Sequence, residues 1–381
     1  MKKLAIITTH PIQYYAPVFK LMAQHIDLCV FYTWGEQSLV KNDPGFGKTV
    51  TWDINLLDGY KYAWLKNIST DPGSHHFIGI INPDITELIQ VWQADAVLVF
   101  GWAYQSHLKA LRFFKNKIPV YFRGDSTLLD EKPGVKSALK WLLLNWVYKH
   151  IDVAFYTGLS NKAYFKKYGV KEKQLVFAPH AVDNQRFAIS RMSEVNMLRE
   201  SLKIKPNEIL ILFAGKFEAK KDPLLLLNAF LQLNTPNCHL LFVGNGNMEI
   251  ELKNAAATSN NIHFMEFQNQ LYMPVVYQAC NLFCLPSRGP GESWGLVVNE
   301  AMACGKAILV SDKVGCAADL VQPGHNGYVF KNGDLNDLIS YLTTLTQSKE
   351  TLDTFGENAA RMIQQWNFTS IVKAIENELN G

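Results

Sequence analysis

Apolar and polar positions fall into two alternating kinds of stretch along this chain. Short, nearly continuous apolar runs read as buried strands, and longer stretches with apolar residues at helical spacing read as amphipathic helices. In the first half, apolar runs at 4–8, 28–32, 96–100, 119–122 and 153–156 predict strands, and 16–24, 104–114, 136–149 and 161–168 predict helices. A polar connector, 192–202, and the Lys-Pro-Asn at 205–207 interrupt the pattern, which then restarts. Strands at 209–214, 239–243, 262–265, 281–285 and 307–310 interleave with helices at 222–232, 248–257, 273–279 and 295–304. Helical patterns at 335–345, 351–365 and 368–379 follow. Strands alternating with helices imply a mostly parallel sheet covered on both faces, so the fold class is α/β in two halves of one kind. In such sheets ligands bind beyond the C-terminal ends of the strands.

Composition narrows this picture. A chain of 381 residues suffices for two ordinary domains, and 48% apolar residues exclude a largely disordered protein. The formal charge of +3 is too small to imply nucleic acid, and no basic aromatic stripe supports it. The charge is uneven: residues 1–185 hold 21 Lys and Arg against 15 Asp and Glu, the remainder 16 against 19. A basic first half is compatible with an anionic acceptor or a phospholipid surface, and equally with lysines that serve solubility. The six cysteines sit in apolar runs without a CxxC pair, which reads as reduced, buried thiols in a cytoplasmic protein and gives no structural zinc. The apolar run behind Met1-Lys2-Lys3 is too short for a signal peptide, and no run reaches the length of a transmembrane helix.

The most informative stretch is 284–330. An apolar strand ends in Pro286-Ser287, a turn with Gly289 and Gly291 follows, and a helix begins near Gly295. Strand, glycine turn and helix N-terminus together make an anion site, because the first amides of a helix lack intrahelical partners. Two carboxylates, Glu292 and Glu300, flank it. Were the whole span helical, they would lie about 80° apart in azimuth and about 12 Å apart along the axis. That reach suits a ligand with hydroxyl-rich ends and a phosphate middle, the layout of a nucleotide sugar.

Glu-x7-Glu after Pro-Ser, then Glu-Ala-Met-Ala-Cys-Gly-Lys-Ala and Gly-x-Asn-Gly, resembles the donor-site signature of retaining glycosyltransferases of the GT-B fold, family 4. That resemblance implies two facing Rossmann-like domains with a cleft between them: 1–187 on the acceptor side, 188–365 binding the donor, and 366–381 a last helix crossing back to the first domain. It implies that Glu300 accepts from the ribose hydroxyls and that Glu292 holds the transferring sugar. The backbone of Ser293, Trp294, Gly295 and Leu296 would meet sugar and phosphate. Gly215-Lys216 and Lys221 correspond to a Gly-Arg-x4-Lys element whose cations neutralise the diphosphate; Lys216 stands where arginine is usual, and Lys220 competes for the role. Asp222-Pro223 supplies an N-cap and a first-turn proline for the next helix. Gly244 and the loop at Phe267 would line the base pocket. The expected chemistry is metal-independent transfer with retention of configuration, by a front-face route, from a UDP- or GDP-sugar to a glycan or lipid-linked acceptor in surface polysaccharide biosynthesis. No cofactor is expected beyond the nucleotide sugar itself.

On the acceptor side the sequence departs from the family. His10-Pro11-Ile12-Gln13 replaces a Gly-Gly pair, and Arg123-Gly124-Asp125 stands where a histidine is common. His10, Arg123 and Asp125 are therefore the acceptor-side candidates, with Trp34 and Trp102 at neighbouring strand ends. Residues 36–83 break the alternation and carry Trp52, Tyr60, Tyr62, Trp64, His75 and His76. Their aromatics can stack on sugar faces or form a small apolar plug, and the plug is preferred. The two histidines have no evident third ligand, so no metal site is assigned. The helix at 136–149, with Trp141, Trp146 and flanking lysines, reads either as a peripheral membrane contact or as a core helix. Apolar residues nearly encircle it, which favours the core. Two rival classes remain: a non-hydrolysing UDP-sugar 2-epimerase of the same fold, and a non-catalytic nucleotide-sugar-binding partner of another transferase.

Overall fold

The structure, a computed structural model, describes residues 1–39, 42–43, 48–49, 51–233 and 235–381. Within the 36–83 excursion, residues 40, 41, 44–47 and 50 lie outside the described residues. In chain order the strands are β1 (Lys3–Thr8), β2 (Asp27–Tyr32), β3 (Asn42–Asp43), β4 (Lys48–Thr49), β5 (Lys61–Trp64), β6 (Ala96–Phe100), β7 (Val120–Arg123), β8 (Val153–Tyr156), β9 (Leu175–Phe177), β10 (Ile209–Ala214), β11 (Cys238–Val243), β12 (Ile262–Met265), β13 (Leu282–Leu285), β14 (Ala307–Ser311) and β15 (Gly327–Phe330). The chain divides into two compact units. The first comprises Met1–Lys41, Ile54–His180 and Phe368–Gly381, the second Asn42–Asp53 and Ala181–Asn367. The division falls at His180–Ala181 rather than at 187–188, and a short piece of the excursion groups with the second unit.

The first unit is built on a seven-stranded sheet of order β5-β2-β1-β6-β7-β8-β9, parallel throughout. Helices α1 (Ala16–Met22), α2 (Ile85–Val91), α3 (Gln105–Phe114), α4 (Val135–Tyr148) and α5 (Leu159–Lys167) connect its strands. Ala5, Ile7, Val97, Val99 and Val120 are fully buried, as strands covered on both faces require. Tyr60 and Trp64 of the excursion pack on this sheet. Tyr32 and Tyr60 share a hydroxyl hydrogen bond of 2.6 Å, and Trp64 lies 4.9 Å from the Tyr32 ring. Strand β5 escaped the sequence pattern because Lys61 and Tyr62 are exposed on it, so it is an edge strand without a continuous apolar run.

The second unit holds a six-stranded sheet of order β12-β11-β10-β13-β14-β15, also parallel. Its helices are α6 (Asn184–Ala188), α7 (Met192–Ser201), α8 (Pro223–Leu233), α9 (Glu249–Ala255), α10 (Met273–Ala279), α11 (Leu296–Ala303), α12 (Ala317–Leu320), α13 (Leu335–Thr346) and α14 (Lys349–Ile363). Ile211, Phe213, Leu240, Phe242 and Leu309 form its fully buried centre. Strand β15 was not predicted. It opens on Gly327, where a Cβ would stand 1.9 Å from the Ile308 carbonyl oxygen, so only glycine lets it pair with β14. The last helix, α15 (Phe368–Asn380), belongs to the first unit, where Tyr121 Oη donates to the Glu378 carbonyl at 2.8 Å.

The core reading of the 136–149 helix needs correction. In α4 only Leu144, Val147 and Tyr148 are buried, while Val135, Leu139, Trp141, Leu142, Leu143 and Trp146 are exposed. Apolar residues encircle it because it has two apolar faces, of which the first unit covers one. Five of the six cysteines are buried and Cys304 is half-buried, all of them free thiols.

Candidate functional site

In the second unit β10 pairs with β11 on one side and with β13 on the other, so the strand order reverses between β10 and β13. This is the switch point at which open α/β sheets bind ligands. The loops that leave β10 and β13 there carry Lys216, Lys221 and Glu292, and the helix that follows the second loop, α11, carries Glu300.

The loop after β10 starts at Gly215, with φ +156°. It runs against the turn after β11 so closely that a Cβ on Gly244 would stand 2.0 Å from the Gly215 carbonyl oxygen. The Phe217 amide donates to the Asn245 carbonyl at 3.0 Å, and Asn245 Oδ1 in turn accepts from the Phe267 amide at 3.0 Å. Gly215, Gly244 and Phe267 are thus brought into one stack of loops. The Phe267 ring also meets Trp52, with centroids 6.2 Å apart.

Lys221 closes the loop after β10 and pairs through Nζ with Glu292 Oε2, with side-chain exposures of only 16% and 9%. Ser287 Oγ donates to the same carboxylate oxygen at 2.9 Å. Lys220 instead turns to Glu218 at 3.3 Å, which distinguishes the two adjacent lysines. Lys216 is half-buried at the start of the loop. Two further contacts tie the loops after β10 and β13 together. The Arg288 amide donates to the Lys220 carbonyl, and Arg288 Nε to Asp222 Oδ2, both at 2.9 Å. The Asp222 carboxylate is engaged with Arg288 through Oδ2, and Pro223 opens α8.

Residues 292–295 are not helical. Helix α11 starts at Leu296 behind Gly295, which has φ +92°. The separation of Glu292 from Glu300 is therefore set by a loop, not by the continuous helix assumed from their spacing. That loop is seated on the chain before α12. The Gly315 amide donates to the Glu292 carbonyl at 3.1 Å and the Cys316 amide to the Trp294 carbonyl at 2.9 Å. A Cβ on Gly315 would come within 1.8 Å of the Ser293 carbonyl oxygen. Trp294 is buried and donates through Nε1 to Asn299 Oδ1 at 2.8 Å. Its neighbours Ser293 and Leu296 stay half-buried. Gly295 has no side chain with which to cap α11, and the Val298 amide bonds back to the Gly295 carbonyl at 2.9 Å.

Glu300 lies on α11, 2% exposed, and accepts from Tyr277 Oη of α10 at 2.7 Å. Tyr277 is a partner that sequence reasoning missed, since nothing local links the two residues. The Tyr277 hydroxyl thus fixes one oxygen of the Glu300 carboxylate.

In the first unit the acceptor-side candidates behave differently from one another. His10 follows β1, with Nδ1 2.8 Å from Thr9 Oγ1 and its ring edge-on to Trp34. Asp125 follows β7, half exposed at 52%. Arg123 is buried and does not present its charge: its guanidinium donates to the Ala178 and Pro179 carbonyls at 2.8 and 2.9 Å. It braces the chain just past β9. His180, which sequence reasoning passed over, stands with its Nε2 4.0 Å from Asp125 Oδ2 and its ring 6.3 Å from that of Tyr15. Burial, with the Arg123 guanidinium adding to it, pushes the His180 imidazole down to about 3, against a smaller opposing pull from Asp125. An imidazole thus joins the cluster from the end of β9. In the excursion, Asp71 comes to His75 and His76, with Oδ2 3.7 and 3.1 Å from their Nε2 atoms. Sequence reading had found no third donor there; all of these groups lie on an exposed loop.

Among known proteins, residues 195–362 match the family Glycosyl transferases group 1. Sulfoquinovosyl transferase SQD2 of Arabidopsis thaliana is 24% identical over 308 residues, 79% of this chain and 57% of that protein. D-inositol 3-phosphate glycosyltransferase of Gordonia bronchialis is 28% identical over 193 residues, 47% of this chain and 42% of that protein. The chain spans about half the length of the curated relatives it matches. Solved structures agree along the whole chain. Anabaena HepE in complex with UDP and glucose has a TM-score of 0.74 at 18% identity, covering 100% of both chains. Sucrose-phosphate synthase of Thermosynechococcus elongatus has 0.75 at 17%, covering 100% of this chain and 98% of that one. Residues 195–362 thus match the group 1 glycosyltransferase family, and the two Rossmann-like units have the GT-B fold.

Proposed function

We propose that the protein is a retaining glycosyltransferase that moves a sugar from a nucleotide diphosphate sugar to a glycan or lipid-linked acceptor. The observation that carries this reading is the arrangement at the β10/β13 switch point. There a cation and a carboxylate, Lys221 and Glu292, share one buried hydrogen-bonded cluster beside a glycine-capped helix that also bears the buried Glu300. The solved HepE structures, complexes with UDP or UDP-glucose, support a nucleotide sugar as donor.

In this reading Glu300, fixed by Tyr277, accepts hydrogen bonds from the ribose hydroxyls. A charged acceptor makes each worth about 1.5–3 kcal/mol. Lys216 and Lys221 lie against the diphosphate, with the first amides of α11, and stabilise the negative charge that grows on the leaving phosphate. Glu292 holds hydroxyls of the transferring sugar. The acceptor oxygen forms its bond to the anomeric carbon on the face from which the carbon–phosphate-oxygen bond breaks, and the acceptor proton passes to the leaving phosphate oxygen. Configuration is thereby retained. His10 and Asp125 are assigned to the acceptor hydroxyl.

The test is a panel of UDP-, GDP- and ADP-sugars, read by thermal stabilisation and then by transfer to candidate acceptors. If no nucleotide sugar stabilises the protein, the reading fails. Epimerisation of a donor without an acceptor would assign the protein to the 2-epimerases, and binding without turnover to a non-catalytic partner role.

A further inference from the structure

We propose that the exposed face of α4 seats the first unit on an anionic phospholipid bilayer. This inference rests on residues outside the donor site and is independent of the reading above. At about 100° per residue, Val135, Leu139, Leu142, Leu143 and Trp146 fall within roughly 100° of azimuth, and Leu144, Val147 and Tyr148 fall on the opposite side. The second group is buried and the first is exposed: Val135 at 79%, Leu139 at 62% and Leu142 at 59%. Lys136 borders the exposed stripe on one side and Lys149 on the other, and α4 contains no acidic residue. An apolar stripe edged by lysines, with an indole on it, is the composition of a helix that lies in a membrane interface. At 14 residues the helix is about 21 Å long, too short to cross a hydrocarbon core of about 30 Å.

The surroundings fit the same partner. Residues 105–150 carry nine Lys and Arg against three Asp and Glu, an excess that by itself equals the whole surplus of the first half. Glu131, the acid nearest the helix, is neutralised by Lys140 at 2.7 Å and Lys167 at 2.6 Å, and this also holds α4 against α5. On the α3 side, Arg112 lies 5.5 Å over the Trp146 ring. A recess of about 660 Å³ opens beside it, lined by Leu108, Lys109, Arg112, Phe113 and His150, where a phosphate headgroup would meet two cations. A second copy of the chain is a poorer occupant, because two such faces would bring lysine borders of like charge together.

The experiment is co-sedimentation of the full chain with vesicles. Vesicles of phosphatidylcholine alone are compared with vesicles containing about a quarter phosphatidylglycerol; binding to the latter is expected to be about tenfold tighter or more, and to weaken as salt is raised. The triple variant Leu139→Gln/Leu142→Gln/Leu143→Gln changes only exposed side chains. It should keep the wild-type melting midpoint while losing vesicle binding about tenfold or more. Lys136→Glu/Lys149→Glu should lose the preference for phosphatidylglycerol, which keeps the proposal open to refutation if the triple variant misfolds. Wild-type protein that stays in the supernatant overturns the proposal. So does equal binding to both vesicle types, or variants that bind as wild type does. A lipid-free dimer in light scattering that the leucine substitutions dissociate would assign the face to a second copy instead.

Discussion

Lys221 and Glu292, 71 residues apart in sequence, form a nearly buried ion pair that joins the loops after β10 and β13. Removing one partner leaves the other charged and desolvated, which costs more than the pair contributes. Lys221→Ala is therefore expected to lower stability by about 3 kcal/mol and to weaken UDP binding as well. Glu292→Gln removes a charge but keeps the shape and frees Lys221 for phosphate. We expect it to bind UDP within a few-fold of wild type while transfer falls about a hundredfold or more. Denaturant melts and calorimetric titration of each variant separate the two effects. Weaker UDP binding by Glu292→Gln than by Lys221→Ala would refute the assignment of the cation to the diphosphate.

Glu300 depends on Tyr277 for the orientation of its carboxylate. Tyr277→Phe deletes one hydrogen bond to a charged, buried acceptor and should cost about 1.5–3 kcal/mol in stability. If Glu300 reads the ribose, Glu300→Ala should bind UDP and its 2′-deoxy analogue equally, whereas wild type should prefer UDP by about tenfold or more. A preference that survives in Glu300→Ala would move ribose recognition elsewhere.

The parts of this site that were legible in the sequence are the local ones. A glycine at a helix start, a proline at the first turn of α8 and a lysine closing a strand-end loop act through their immediate neighbours in the chain. The alternation of apolar runs likewise located ten of the strands, because a strand buried on both faces must be continuously apolar. What stayed hidden depends on residues that meet only after folding. Tyr277 reaches Glu300 from another helix, Gly315 seats the Glu292 loop from another strand connection, and His180 joins Asp125 from the far end of the sheet. Arg123 stood out because it replaces a common histidine; only the fold shows its guanidinium donating to the Ala178 and Pro179 carbonyls. Helix α4 misled for the converse reason, since composition around a helix does not say which of two apolar faces finds a partner.

Gly315 has an ordinary backbone conformation but no room for a side chain, since a Cβ would press on the Ser293 carbonyl from 1.8 Å. The obstacle is backbone, so it cannot rotate away, and the loop carrying Glu292 to Trp294 must lift. Gly315→Ala is expected to lower stability by about 2–3 kcal/mol and to impair nucleotide-sugar stabilisation more than Gly333→Ala, which has nothing within 4 Å of the added methyl. Gly333 has φ +71°, so its alanine variant carries backbone strain alone and separates that cost from the steric one. Equal losses in the two variants would show that the seat at Gly315 is not tight.

Stability should also fall with acid well before the carboxylates titrate. His107, His180 and His263 are held neutral chiefly by burial, at about 4, about 3 and about 4, against an ordinary value of 6.5. Between those values and 6.5 the unfolded chain binds protons that the folded one does not, so stability rises with pH across the window and is fully present above it. Each such histidine contributes a slope of at most about 1.4 kcal/mol per pH unit. The melting midpoint is therefore expected to drop steadily from pH 6.5 toward pH 4.5. His180→Gln should flatten that slope in the first unit, since glutamine does not titrate. His107 is tied to Thr33 Oγ1 at 2.9 Å and to the Gly101 carbonyl at 3.0 Å, so His107→Gln should flatten the slope while also lowering the midpoint at neutral pH. A wild-type midpoint that stays level from pH 6.5 to 4.5 would mean that these imidazoles take up protons in the folded state as readily as in the unfolded one.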